Sequence, residues 1–384
     1  MKEIQGHGAP GRPGDGEPTI LLSANSCWNI VNFRGGLIRA LRERGYRVVV
    51  AAPDDPHRPK LADLGADFRS VAINSSGISV VEDLGLLGRY LAVFREVRPS
   101  AYLGFTAKPN IYGSIAARLV GAKAINNVSG LGTVFIRTGP LTALVTRLYR
   151  FALRSSVTIF FQNRDDLKLF VGKRIARREQ AQLLPGSGVD LERFQPRPAS
   201  AGDGAFRFLL VGRLLWDKGV GEYVEAARIV RRAHPQARFQ MLGPAGANNR
   251  TAVPAEVLDD WRTEGIVDYL GESDDVRDAM EQADCIVLPS YREGLPRALL
   301  EGSAMGKPLI ATDVPGCRDV VVDGNTGYLC AERSAESLAA AMERMIATPA
   351  AVRLRMGELG RRKIEQEFCE SRVIAKYLDA LGVG

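Results

Sequence analysis

CIVLPSYREGLPRALLEGSAMGKPLIATDVPGCRDVVVDGNTGYLC, residues 285–330, holds the most structural and chemical information in this chain. CIVLP reads as a buried strand that stops at Pro289, and Ser290 to Gly294 as a short loop. Pro296 suits the first helical position, where its missing N–H costs nothing. A helix then runs to about Met305. Its free N–H groups, from Leu295 and Arg297 onward, point back at the loop, which favours a phosphate or pyrophosphate there. Glu293 precedes the helix and Glu301 lies about two turns further on. The two carboxylates can reach different parts of one ligand. On spacing alone they also fit a helix-start acid and a solvated face residue.

Working outward, strands and helices alternate in both directions. TILLSA (19–24) and YRVVVAA (46–52) read as strands, with a helix over Asn32 to Arg44 between them. Further strands are expected near 67–73, 100–105, 122–128, 157–161 and 180–184, with helices such as Glu82 to Val97 and Pro109 to Val120. Pro185 to Ala205 is turn-rich and interrupts the rhythm. Alternation resumes with FRFLLVG (206–212), a helix over Lys218 to Arg232, and strands near 238–242, 266–269, 284–288, 308–311 and 327–330. Two consecutive α/β domains with parallel sheets follow. The expected division is a leader at 1–18, a first Rossmann-like domain at 19–188, a linker at 189–205, a second at 206–367, and a C-terminal helix at 368–384. Ligands of such sheets bind beyond the strands' carboxyl ends, here the cleft between domains.

With 384 residues, 46% hydrophobic and 25% charged, the chain has the make-up of a soluble globular protein of two or three domains. No run reaches the roughly 18 apolar residues of a membrane span. Met1 to Pro18 has no apolar core and does not read as a signal peptide; its GHGAPG (6–11) precedes the first strand and is no dinucleotide fingerprint. Five scattered cysteines without CxxC spacing point to a reducing cytoplasm and no zinc site. Residues 1–188 hold 26 Lys/Arg and 14 Asp/Glu, a net +12, against −5 for the remainder. The basic half attracts something anionic: nucleic acid, lipid or a phosphorylated substrate. Basic clusters interleaved with aromatics are missing, which argues against nucleic acid. GSAMGK (302–307) is one residue short of a P-loop.

PSYREGLPRALLEGSAMGKPLIAT, with Glu293 and Glu301 eight positions apart, resembles the signature of the large retaining glycosyltransferase family of GT-B fold often called family four. VPGCRDVVVDGNTGYL (314–329), VGRLLWDKGV (211–220) and GSGVDLERFQP (186–196) are similar to the same family. The resemblance spans the chain from about residue 19. NFRGGLIRALRERGYRVVVAAP (32–53), FTAKPNIYGSIAARLVGA (105–122) and NNVSGLGTVF (126–135) resemble bacterial enzymes of surface-polysaccharide and lipid-linked oligosaccharide assembly. The resemblance implies two Rossmann-like domains facing a cleft, a C-terminal helix that crosses back onto the first domain, and transfer of a hexose or N-acetylhexosamine from a UDP-sugar to an undecaprenyl-diphosphate-linked acceptor. It implies that Arg213 and Lys218 neutralise the departing diphosphate and that Glu301 binds the ribose hydroxyls. Glu293 would contact the donor sugar, with Gly294, Leu295 and Pro296 at the donor as well. Gly35 and Gly36 would let backbone approach the diphosphate or acceptor; plain helix packing is the other reading. Many relatives carry a histidine near the site in the first domain, but His7, His57 and His234 are the only ones here, and Thr106, Lys108 and Asn110 stand at that strand end. Asn127, Ser129, Gly130 and Gly132 form a second polar cluster, for donor or acceptor or as an ordinary turn. No Asp-x-Asp occurs, in agreement with an enzyme that needs no metal or other cofactor. The alternative on the same fold is a nucleotide-sugar epimerase, which needs no acceptor.

Pro140 to Arg154 reads as an amphipathic helix, with Leu141, Leu144, Val145, Leu148, Phe151 and Ala152 on one face and Arg147, Arg150 and Arg154 on another. Such a helix suits either a core or an anionic membrane surface. With the basic first half, it suggests a peripheral protein on the inner face of the plasma membrane.

Overall fold

The structure, a computed structural model, describes residues 17–74, 79–130, 139–196, 204–246 and 251–383. Most of the 1–18 leader, the linker segment 197–203 and Gly132 lie outside the described residues. The first half runs β1 (Thr19–Ser23), α1 (Cys27–Glu43), β2 (Arg47–Ala52), α2 (Pro59–Asp63), β3 (Ala66–Ser70), α3 (Val80–Val97) and β4 (Ala101–Phe105). It continues through α4 (Ser114–Val120), β5 (Lys123–Val128), α5 (Pro140–Leu153), β6 (Thr158–Phe161), α6 (Arg164–Gly172) and β7 (Ala181–Leu183). The second half runs β8 (Arg207–Val211), α7 (Val220–Ala233), β9 (Arg238–Leu242), α8 (Ala255–Thr263), β10 (Asp268–Tyr269), α9 (Arg277–Gln282), β11 (Cys285–Leu288) and α10 (Arg297–Ala304). It ends with β12 (Leu309–Thr312), α11 (Cys317–Val320), β13 (Gly327–Cys330), α12 (Ala335–Ala347), α13 (Ala350–Lys363) and α14 (Glu370–Leu381).

Every strand pairs in parallel, in the orders β3-β2-β1-β4-β5-β6-β7 and β10-β9-β8-β11-β12-β13. Central strands such as TILLS are buried end to end because helices cover both faces of each sheet. Alternate residues serve opposite faces. Ile20, Leu22, Val48 and Val50 pack with α1, while Leu21, Val49 and Tyr102 pack with α3, α4 and α5. The strand orders reverse at β1/β4 and at β8/β11, so ligands are expected beyond those strand ends.

Two local expectations shift. α1 begins at Cys27 rather than Asn32, because Ser26 caps it by accepting the Asn29 N–H at 3.1 Å. In α5 the expected apolar face divides. Val145 and Ala152 are buried with Tyr149 and Leu153, whereas Leu144 is 42% and Phe151 51% exposed. The core takes the stripe centred on Tyr149, and Leu144 and Phe151 fall on its flank. Arg150 donates to the carbonyls of Lys173 (2.8 Å) and Arg174 (3.0 Å).

The chain's end belongs to the first sheet. Val373, Tyr377, Leu378 and Leu381 of α14 join the α1 side of its core. Tyr377 packs edge-on to Phe160 (5.0 Å) and Phe105 (6.0 Å), and its hydroxyl accepts from Asn127 Nδ2 at 2.7 Å. The outgoing and returning crossings are laced together: Val189 N–H donates to Phe368 (2.9 Å), and Glu370 N–H donates to Val189 (3.0 Å).

Candidate functional site

The β8/β11 reversal builds the second half's side of the site. Arg213 and Lys218 lie on the turn leaving β8, and Glu293 on the loop leaving β11. Tyr291 N–H donates to the Asp217 carbonyl at 3.0 Å, which ties the two loops together. Lys218 Nζ forms an ion pair with Glu293 Oε1, both side chains largely buried. Arg213 is exposed and has no ion-pair partner among the described residues. Pro296 sits at the N-cap of α10 with no side-chain capping bond, one position ahead of the expected place. The first backbone N–H groups of α10 are therefore left without a side-chain acceptor, at the end where the helix dipole is positive. Glu301, 8% exposed, is one turn inside α10 and is held by Arg297, whose Nε donates to Oε1 at 2.7 Å.

The first half closes on this loop. Asn163 caps α6 by accepting the Asp166 N–H at 2.8 Å, and its Nδ2 donates to the Gly294 carbonyl at 3.0 Å. Arg292 forms an ion pair with buried Asp166. Burial pushes the Asp166 carboxyl up, although Arg292 pulls it back down. Gly294 lies against Ser129: a Cβ there would overlap the Ser129 carbonyl oxygen and stand 2.8 Å from its carbon. Gly130 faces the same loop with more room: the Gly294 N would lie 3.7 Å from a Cβ there, an ordinary contact. Gly316, at φ 83, backs the loop from behind, where a Cβ would meet the Gly294 carbonyl oxygen at 2.5 Å.

Arg213, Lys218, Glu293, Gly294, Leu295, Pro296 and Glu301 are thus gathered at one reversal point, and Ser129 and Gly130 face them. Other residues singled out from sequence have protein partners. Lys108 is paired with Asp83 at 2.7 Å. Asn110 donates to the Asn127 carbonyl (2.8 Å) and accepts from Asn126 Nδ2 (3.0 Å), in a buried network that continues to Ser114 and Ser156. Thr106 follows β4 in the left-handed region, φ 69, with its buried hydroxyl unpartnered among the described residues; such strain costs about 1–3 kcal/mol and concentrates at functional sites. Gly35 and Gly36 lie inside α1, not on the loop before it. A Cβ at Gly36 would meet the Glu370 carboxylate at 2.5 Å, and one at Gly35 would meet Leu64 at 3.5 Å, so what approaches them is protein. Among the described residues no group of three His, Cys, Asp or Glu is placed to hold a metal.

Sequence reasoning missed Asn163, Asp166, Arg292 and Arg297. Asn163–Asp166 carries a helix-cap spacing that was there to be seen, but nothing local says that the cap also grips a loop 130 positions away.

Residues 19–163 match the glycosyl transferase 4-like family profile, and residues 192–363 match that of glycosyl transferases group 1. The N,N'-diacetylbacillosaminyl-diphospho-undecaprenol alpha-1,3-N-acetylgalactosaminyltransferase of Campylobacter jejuni is 26% identical over 81% of this chain and 84% of its own. The Escherichia coli UDP-Gal:alpha-D-GlcNAc-diphosphoundecaprenol alpha-1,3-galactosyltransferase is 24% identical over 70% of this chain and 72% of its own. The crystal structure of Anabaena HepE in complex with UDP and glucose superposes with a TM-score of 0.79 at 16% identity, covering 94% of this chain and 99% of that one. With two parallel-sheet halves and both family profiles in register with them, this chain belongs to the GT-B glycosyltransferases, joining a glycosyl transferase 4-like half to a group 1 half.

Proposed function

We propose that the protein is a retaining, metal-independent glycosyltransferase that moves a hexose or N-acetylhexosamine from a UDP-sugar to a lipid-diphosphate-linked saccharide in bacterial surface-polysaccharide assembly. The observation that carries this reading is the Lys218–Glu293 pair at the uncapped start of α10, with Arg213 on the same turn as Lys218. Charge that develops on a departing diphosphate is stabilised by cations and helix N–H groups already in place. Arg213 and Lys218 take that part, and no acidic cluster is needed to hold a metal for it. Glu293 accepts from the donor sugar hydroxyls and Glu301 from the ribose, while the Gly294 and Leu295 N–H groups and the Pro296 helix start face the donor. Thr106, Ser129 and Gly130 supply the facing wall. The names of the Campylobacter and Escherichia relatives support an undecaprenyl-diphosphate acceptor, and the UDP-Gal in the second, with the UDP bound to HepE, supports a uridine donor.

The test is label transfer from a panel of UDP-sugars into a lipid extract with EDTA present. Transfer to lipid is expected undiminished by EDTA, and reduced about tenfold in Glu301→Ala, the cost of losing a hydrogen bond to a charged group. Sugar converted with no acceptor would mean an epimerase instead. Loss of transfer in EDTA would end the metal-independent reading.

The same reading places the enzyme on the inner face of the plasma membrane. Among the described residues no helix is long and apolar enough to cross a membrane. On the flank of α5, exposed Phe151 lies under Arg118 (5.7 Å) and Arg154 (6.0 Å), and Leu144 and Leu119 are also exposed. Apolar side chains among arginines suit an anionic bilayer surface. The protein is expected to pellet with anionic vesicles and be released by salt, with Phe151→Glu lowering the bound fraction several-fold. Equal pelleting of the wild type and Phe151→Glu would rule this surface out.

A further inference from the structure

We infer that Arg297 is a positioning residue that fixes the Glu301 carboxylate for the donor ribose by bracing it against α1 of the opposite half. The inference rests on the reading of Glu301 as the ribose acceptor. Arg297 and Glu301 stand four positions apart on α10, the spacing at which helical side chains meet. The Arg297 Nε donates to Glu301 Oε1 at 2.7 Å, and Nη2 lies 2.6 Å from the same oxygen. Both contacts fall on Oε1, and Oε2 has no partner among the described residues. One carboxylate oxygen is anchored, and the other is left to accept a hydroxyl.

The rest of the guanidinium is engaged elsewhere. Nη1 donates to the Asn32 carbonyl at 2.9 Å, across to α1. Its carbon lies 5.0 Å from the centre of the Phe33 ring, and Phe33 meets Trp28 edge-on at 5.2 Å. A planar fork with several fixed donors can hold a carboxylate, a carbonyl and a ring face at once; an ammonium cannot. A buried carboxylate keeps one orientation only while its partner does, so the docking of α1 sets the aim of Glu301. This would make ribose recognition depend on the two halves being together.

The test is calorimetric binding of UDP and of 2′,3′-dideoxy-UDP to the full chain. The wild type is expected to prefer UDP by about tenfold or more, a charged hydrogen bond's worth. Glu301→Gln and Arg297→Met are both expected to bring that preference below about threefold, while dideoxy-UDP binding stays within about twofold of the wild type. A preference lost in Glu301→Gln but kept in Arg297→Met overturns the inference and leaves the ribose reading standing. A preference kept in Glu301→Gln, or missing from the wild type, overturns the ribose reading and the inference with it. An equal loss of both nucleotides in Arg297→Met is what a merely structural role gives, and also overturns it. If Arg297→Met does not fold, Arg297→Lys replaces it; the ammonium keeps the charge but not the brace, and an unchanged preference there counts against the inference.

Discussion

Lys218→Ala should lower kcat by about 10²- to 10³-fold, the usual loss when one fixed group that stabilises developing charge is removed. On the proposed reading Lys218 stands where charge would build on the leaving diphosphate, and its ammonium is held in place by Glu293. That pairing has two consequences. The cation is pre-positioned, so little reorganisation accompanies the reaction. Its removal also leaves the Glu293 carboxylate, largely buried, without a counter-charge, so some loss of stability accompanies the loss of rate. Steady-state kinetics beside a thermal melt separates the two. A folded Lys218→Ala whose kcat stays within tenfold of the wild type would show that the diphosphate is neutralised elsewhere. Arg213, exposed and without an ion-pair partner among the described residues, should cost less when replaced, because no protein group holds it at the site as Glu293 holds Lys218.

Gly294→Ala should reduce activity by about 10²-fold while leaving each half folded. The added methyl would overlap the Ser129 carbonyl oxygen, with Gln162 Oε1 3.1 Å away, and Gly316 stands close behind the loop. The loop has no room to retreat, so the two halves must separate by an ångström or more. A displacement of that size at a reacting centre costs about two orders of magnitude. The contacts from Asn163 to Gly294 and from Arg292 to Asp166 would stretch with it. Kinetics together with small-angle scattering checks the prediction: a slower enzyme with an opened cleft is expected. Wild-type rates in Gly294→Ala would mean that catalysis does not use this closed arrangement.

The sequence alone determined the two parallel sheets, the order of their strands along the chain, the strand-to-helix segments that carry Arg213, Lys218 and Glu293, and the helix that carries Glu301. These are local properties. A strand such as TILLS, buried on both faces, must be apolar throughout, and a proline at a helix start marks itself. The family resemblance added roles to residues the pattern had already placed on strand ends. Only the tertiary structure decided what those residues touch. Gly36 looked like a place for a ligand to approach and instead meets Glu370, more than 300 positions later, on a helix that returns to the first sheet. Lys108 and Asn110 looked free to bind and are held by Asp83 and by Asn126 and Asn127. α5 turned Val145 inward and Leu144 and Phe151 outward, a choice made by the helices it packs on and not by its own periodicity. The grip of Asn163 on Gly294 and the brace from Arg297 to Asn32 join residues far apart in the chain. Periodicity, capping and turn chemistry act over a few residues and leave their mark in any short window. A contact between two halves leaves none, because either partner alone is an ordinary polar residue until the fold brings the other to it.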